Sequence, residues 1–196
     1  MVKINQKALL LFCISAVFLI NGANGAVGKQ KTINKIKAYL STFITDSQLN
    51  KICDTISLDN FNGVDVGTMA NNAINIVMNS LTLTQMMQGL KIIGALTTDF
   101  GSLDNAKAAL APVMDVAMNN LGPIFNQIQT KVKAMKAQGK GQTAAFQQQY
   151  KMLNAFLTQQ RVQTILTRVK ASLPASQWSL IVKDLGGAIF FSKYSL

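Results

Sequence analysis

Apolar residues recur three and four positions apart along nearly the whole chain, whereas strict apolar/polar alternation hardly occurs. This spacing matches the 3.6-residue turn of an α-helix and not the two-residue repeat of a strand, so it predicts an all-α fold. Ile33, Ile36, Leu40 and Phe43 form the first stripe. Thr45-Asp46-Ser47-Gln48 has the form of a capping box, opening a helix whose buried edge is Leu49, Ile52, Cys53 and Ile56. Asp59-Asn60-Phe61-Asn62-Gly63 reads as a turn.

Beyond that turn, Met69, Ala70, Ala73 and Val77 line one side of a helix that Ile74, Ile76 and Met78 make apolar almost all round, as a central helix would be. Thr82 can cap the next helix, where Leu83, Met86, Met87, Leu90 and Ile93 fall on one face and Lys91 points away. Residues 97–101 read as a loop. Ser102 caps a helix carrying Leu103, Ala106 and Leu110; Pro112 kinks it or starts a new one, and Gly122-Pro123 reads as a restart.

Leu121, Ile124, Phe125, Ile128, Val132 and Met135 follow a regular helical course. After Gly139-Lys140-Gly141 come stripes of Phe146, Tyr150, Leu153 and Leu157, then of Val162, Ile165, Leu166 and Val169. A helix after Pro174 presents Trp178, Ile181 and Leu185 and ends at Gly186-Gly187. The expected architecture is a compact single-domain bundle of about eight short amphipathic helices.

The N-terminus is a separate matter. Lys3 and Lys7 precede a 13-residue apolar run at positions 8–20, followed by the small residues Ala23 and Gly25. The run is too short for the ~20 residues of a membrane-spanning helix. Residues 1–25 therefore read as a secretory signal peptide cleaved before Ala26, leaving one domain at 26–196 and a secreted, extracellular protein. Cys13 would leave with the signal, so Cys53 would have no partner in its own chain. A buried thiol acting as a small hydrophobe and an intermolecular disulfide are the two readings.

Chemistry is limited by what the chain omits, for it has no histidine and no glutamate. Histidine triads, histidine-rich metal sites and glutamate acid/base pairs are excluded by residue type, and the eight aspartates are scattered singly, several at helix starts. The expectation is no catalytic residue, no metal and no cofactor. Residues 59–65 hold only a fragment of calcium-loop spacing and lack the acidic twelfth ligand.

Charge is the other guide. Without Lys3 and Lys7 the formal net charge falls from +11 to +9, which favours anionic surfaces. Nucleic acid is not expected, since Arg161 and Arg168 are the only arginines and no basic-aromatic pattern accompanies them. In residues 130–142 (TKVKAMKAQGKGQ), Lys133, Lys136 and Lys140 share an edge of about 60° beside the apolar stripe ending at Val132 and Met135. They can be a solvated helix end or the rim of an apolar opening that meets a carboxylate or phosphate. The many methionines suit either an ordinary core or a cavity accepting variable apolar shapes.

Over residues 96–187 the order of features resembles the nematode secreted fatty-acid- and retinol-binding proteins. The resemblance runs through SLDNAKAAL, NNLGPIFNQIQTKVKAMKAQGKG, FQQQYKMLNAFL and the Pro-initiated terminal helix. It implies a compact all-helical fold around a branched apolar cavity and an exported, non-enzymatic carrier of fatty acids or retinoids. On this reading Phe125, Ile128, Val132 and Met135 line the site and Lys133 and Lys136 rim it. The rival reading is a basic membrane-active protein whose amphipathic helices and apolar tail at Phe190 and Phe191 contact anionic bilayers.

Overall fold

The computed structural model describes residues 26–39, 43–186, 189, 191–194 and 196. Residues 1–25, where a signal peptide is expected, and Leu40 of the first stripe, Gly187 and Phe190 lie outside these described residues. The described chain is all-α: α1 (Ala26–Tyr39), α2 (Asp46–Asn62), α3 (Val66–Asn79), α4 (Leu83–Asp99), α5 (Leu103–Ala137), α6 (Gln142–Phe156), α7 (Gln159–Ala171) and α8 (Ala175–Leu185), closed by a 3-10 turn at Phe191–Tyr194.

Helix starts follow the capping chemistry of the sequence. Thr45 and Thr82 each cap a helix through a full capping box with Gln48 and Gln85, and Asp65, Ser102 and Thr158 each accept from the backbone N–H three residues on. The Asp59–Gly63 turn is shorter than expected: α2 runs through Asp59 and Asn60 to Asn62, and only Gly63, at φ +78°, leaves the helix. Such a left-handed residue favours glycine because it has no Cβ.

The organising element is α5, a single helix of 35 residues and ~50 Å. Pro112 and Pro123 lie inside it, so the restart expected at Gly122-Pro123 does not occur. Each proline removes one backbone donor, but the carbonyls thereby released belong to Ala108 and Asn119, both at exposed positions where water can satisfy them. The inner stripe is unbroken across both: Ala106, Leu110, Val113, Ala117, Leu121, Ile124, Ile128 and Val132 are all buried.

Around this spine pack α2, α4, α6 and α7, while α1 lies across α6 and α2, and α8 against α4. The helix expected at the centre, α3, packs principally on α2, and Ile74, Ile76 and Met78 are only half-buried. Its asparagines at 71, 72, 75 and 79 leave too little apolar surface to bury on every side. Trp178 meets Phe191 edge to face, with centroids 5.2 Å apart, which buries Phe191 in the core and removes it from the apolar tail expected to reach a bilayer.

Candidate functional site

A groove of about 800 Å³ opens where α5, α6 and α7 diverge. Beside polar Asn120, Gln127, Gln160 and Thr164, its lining presents the apolar Ile124 of α5, Met152 and Phe156 of α6 and Ile165 of α7. Each of these four reaches the groove because its helix turns one edge toward the α6–α7 junction, where Leu157 is buried and Thr158 restarts the chain as the cap of α7. Lys35 fixes the junction from the other side, its Nζ donating to the carbonyls of Asn154 at 2.6 Å and Leu157 at 2.7 Å. Burial, and secondarily Lys31, lowers the Lys35 pKa, yet two carbonyls at the end of α6 still favour its ammonium form.

Both arginines of the chain stand on α7 and border this groove. Arg161 lies over the Phe156 ring, 4.5 Å from its centroid, and Arg168 Nη1 donates to Asn120 Oδ1 of α5. They are seven residues apart, two helical turns, which places them on one edge. No aspartate is among the lining residues. In the linear sequence these arginines stand out only as too few for nucleic acid, because the groove they border is assembled from three helices.

The six residues expected to form a site do not converge. Phe125, Ile128 and Val132 point inward from α5 and are buried in the core, and Met135 is half-buried below them. Lys133 and Lys136 instead border a separate concavity of about 600 Å³ with Phe61, Gly63, Asn126 and Gln129. Lys136 acts there as a clasp: its Nζ donates to the Phe61 carbonyl at 2.7 Å and sits 4.5 Å from the Phe61 ring centroid. Gln129 adds a bond to the Val64 carbonyl at 2.7 Å, so this edge of α5 secures the α2–α3 connection. Lys140 leaves the lysine edge altogether, because α5 stops at Ala137 and Gly139, at φ +72°, reverses the chain. The Lys140 N–H closes on Met135 and the Gly139 N–H on Lys136, the paired bonds of a Schellman ending.

Other polar chemistry is interior. Cys53 is buried, and desolvation holds its thiol well above the usual thiol range, so it is the small hydrophobe of the first reading and unreactive in the folded state. Asn60 Nδ2 donates to Gln149 Oε1 at 3.2 Å, and Gln149 in turn donates to the Ser57 carbonyl at 3.3 Å, linking α2 to α6. Among the described residues no three potential metal ligands cluster.

Helix α4 departs most from expectation. Of its expected apolar face only Ile93 is half-buried; the rest is turned outward, Leu83 being 69%, Met86 45%, Met87 55% and Leu90 55% exposed, while Gln85, Gly89, Ile92 and Leu96 face the core.

No curated protein and no solved structure matches the chain. A family model described as "Uncharacterized protein B0228.1-like" matches residues 7–185, nearly the whole sequence, and the chain therefore belongs to the B0228.1-like family.

Proposed function

We propose that this protein is a non-enzymatic, exported carrier of long-chain carboxylates or retinoids, and that the groove between α5, α6 and α7 is its binding site. What carries the reading is the presence in one groove of four apolar side chains, Ile124, Met152, Phe156 and Ile165, and two arginines with no acid. Export is supported by the short apolar N-terminal run and the small residues after it.

The energetics suit such a ligand. Burying one methylene contributes ~0.8 kcal/mol, so roughly ten offer about 8 kcal/mol to set against the cost of association and ordering. A planar guanidinium presents paired donors that match a carboxylate, and Arg161 already lies against an apolar ring that would lie beside the chain. The groove volume falls within the ~300–1,000 Å³ typical of small-molecule sites.

Titration of delipidated protein with a fluorescent fatty acid tests the assignment. Saturable binding is expected, weakened roughly tenfold to a hundredfold by Arg161→Ala with Arg168→Ala, the range for a lost charge-assisted hydrogen bond. Lys133→Ala with Lys136→Ala should leave binding unchanged. Absence of saturable binding would overturn the carrier reading, and control by the lysine pair would move the site elsewhere.

A further inference from the structure

We infer that the outward face of α4 docks the protein on an anionic lipid bilayer, a role that stands apart from the groove and does not depend on it. Leu83, Met86, Met87 and Leu90 are four of the six large apolar side chains left most exposed among the described residues. They fall within about 100° of the helix circumference. The opposite side, Gln85, Gly89, Ile92 and Leu96, is packed against the bundle, so the stripe cannot turn inward without breaking that packing. Isolated exposed leucines are ordinary, but a contiguous apolar stripe on a surface helix marks a contact.

Its chemistry selects among occupants. The stripe is wholly aliphatic and thioether, with none of the tryptophan, tyrosine or arginine that anchors protein interfaces. Flexible methionines and leucines instead suit acyl chains, which present no fixed shape to match. The only charge in residues 80–98 is Lys91, which is exposed and, four residues after Met87, lies beside the stripe rather than pointing away from it; α4's one acid, Asp99, lies at the far end, held by Lys183 at 2.5 Å. Lys91 could therefore meet lipid phosphates while the stripe enters the acyl boundary.

Overall charge points the same way. Residues 26–196 carry a formal +9, which draws the protein to an anionic leaflet. The same charge opposes a second copy, since pairing two α4 faces would bring like-charged molecules and both Lys91 side chains together.

The test expresses the complete chain in a secretory host, purifies the protein as produced and adds vesicles of equimolar phosphatidylserine and phosphatidylcholine. Co-sedimentation is expected, weakening as salt rises, with little binding to phosphatidylcholine alone. Hydrogen peroxide footprinting read by mass spectrometry supplies the local measure: Met86 and Met87 should oxidise readily in solution and be protected on vesicles. The Leu83→Ser/Met87→Ser/Leu90→Ser variant alters only exposed positions and should melt like the parent while its bound fraction falls about tenfold or more. Failure to bind, binding that leaves Met86 and Met87 unprotected, or protection that arises without vesicles as the protein sediments as a dimer would each overturn the inference. The parent footprint decides the matter even if the triple variant folds poorly.

Discussion

Gln48 and Gln85 exchange side-chain hydrogen bonds inside the fold, each Nε2 donating to the other's Oε1, at 3.0 Å and 2.8 Å. Both are also third residues of capping boxes, each Oε1 accepting from its own capping threonine N–H at 3.0 Å. Their remaining donors go to the Ser80 and Phe43 carbonyls. Two helix starts are thereby joined back to back through amides whose hydrogen bonds are all met. Burying Gln85 fixes the rotation of α4 and turns Leu83, Met87 and Leu90 to the outside.

Breaking this pair should be costly. Gln85→Leu strands the Gln48 amide in the interior and is expected to lower the unfolding free energy by ~2–4 kcal/mol. In a double-mutant cycle monitored by urea unfolding, Gln48→Leu with Gln85→Leu should cost less than the two single changes added together, because neither amide is then left unpaired.

Gly28 holds α1 against α6. A Cβ at Gly28 would stand 2.9 Å from the Cβ of Tyr150, and Tyr150 is buried with little room to move. Gly28→Ala should therefore destabilise by ~1–3 kcal/mol despite the better helix propensity of alanine, and a denaturant melt will show it.

Asp99 and Asp184 oppose each other in pH dependence. Hydrogen bonding from Lys183 lowers the Asp99 pKa, whereas burial and then Asp99 itself raise that of Asp184. A carboxyl with a higher pKa in the native state keeps its proton longer there, so the Asp184 contribution to stability falls as pH rises past the ordinary carboxylate range. Asp99 does the reverse, contributing stability that is lost on acidification. Asp184→Asn should raise the melting temperature at neutral pH, and the gain should shrink as pH falls and the parent's Asp184 protonates.

Cys53 should be chemically silent until the fold opens. With its thiol buried and its pKa raised by desolvation, maleimide labelling at Cys53 followed by mass spectrometry should be negligible in buffer and complete in denaturant. Ready labelling of the native protein would mean that α2 separates from its neighbours.

Much of the helix order was legible because caps and stripes agree. Thr45 with Gln48, and the Phe146, Tyr150, Leu153 and Leu157 stripe, are where periodicity places them. The continuity of α5 was not legible, since Pro112 and Pro123 are local stop signals and the unbroken burial on the far side is a tertiary fact. The facing of α4 was hidden for a similar reason. Its Leu and Met stripe is the more apolar edge, but the small Gly89 and the capping Gln85 let the other edge approach the bundle closely. Thr82-Leu83-Thr84-Gln85 did carry the capping-box signal that ties Gln85 inward. The groove left no linear trace, because Ile124, Met152, Ile165 and the two arginines come from three helices.

The binding assignment is tested most directly by native mass spectrometry of the protein purified from a secreting host, compared with its Arg161→Ala/Arg168→Ala variant. The expected spectrum shows a fraction of the parent carrying one added mass of a long-chain acid or retinoid, released on harsher activation and diminished in the variant. A parent that carries no such mass and acquires none when offered these lipids, or a variant that retains it undiminished, would contradict the assignment of the α5–α6–α7 groove.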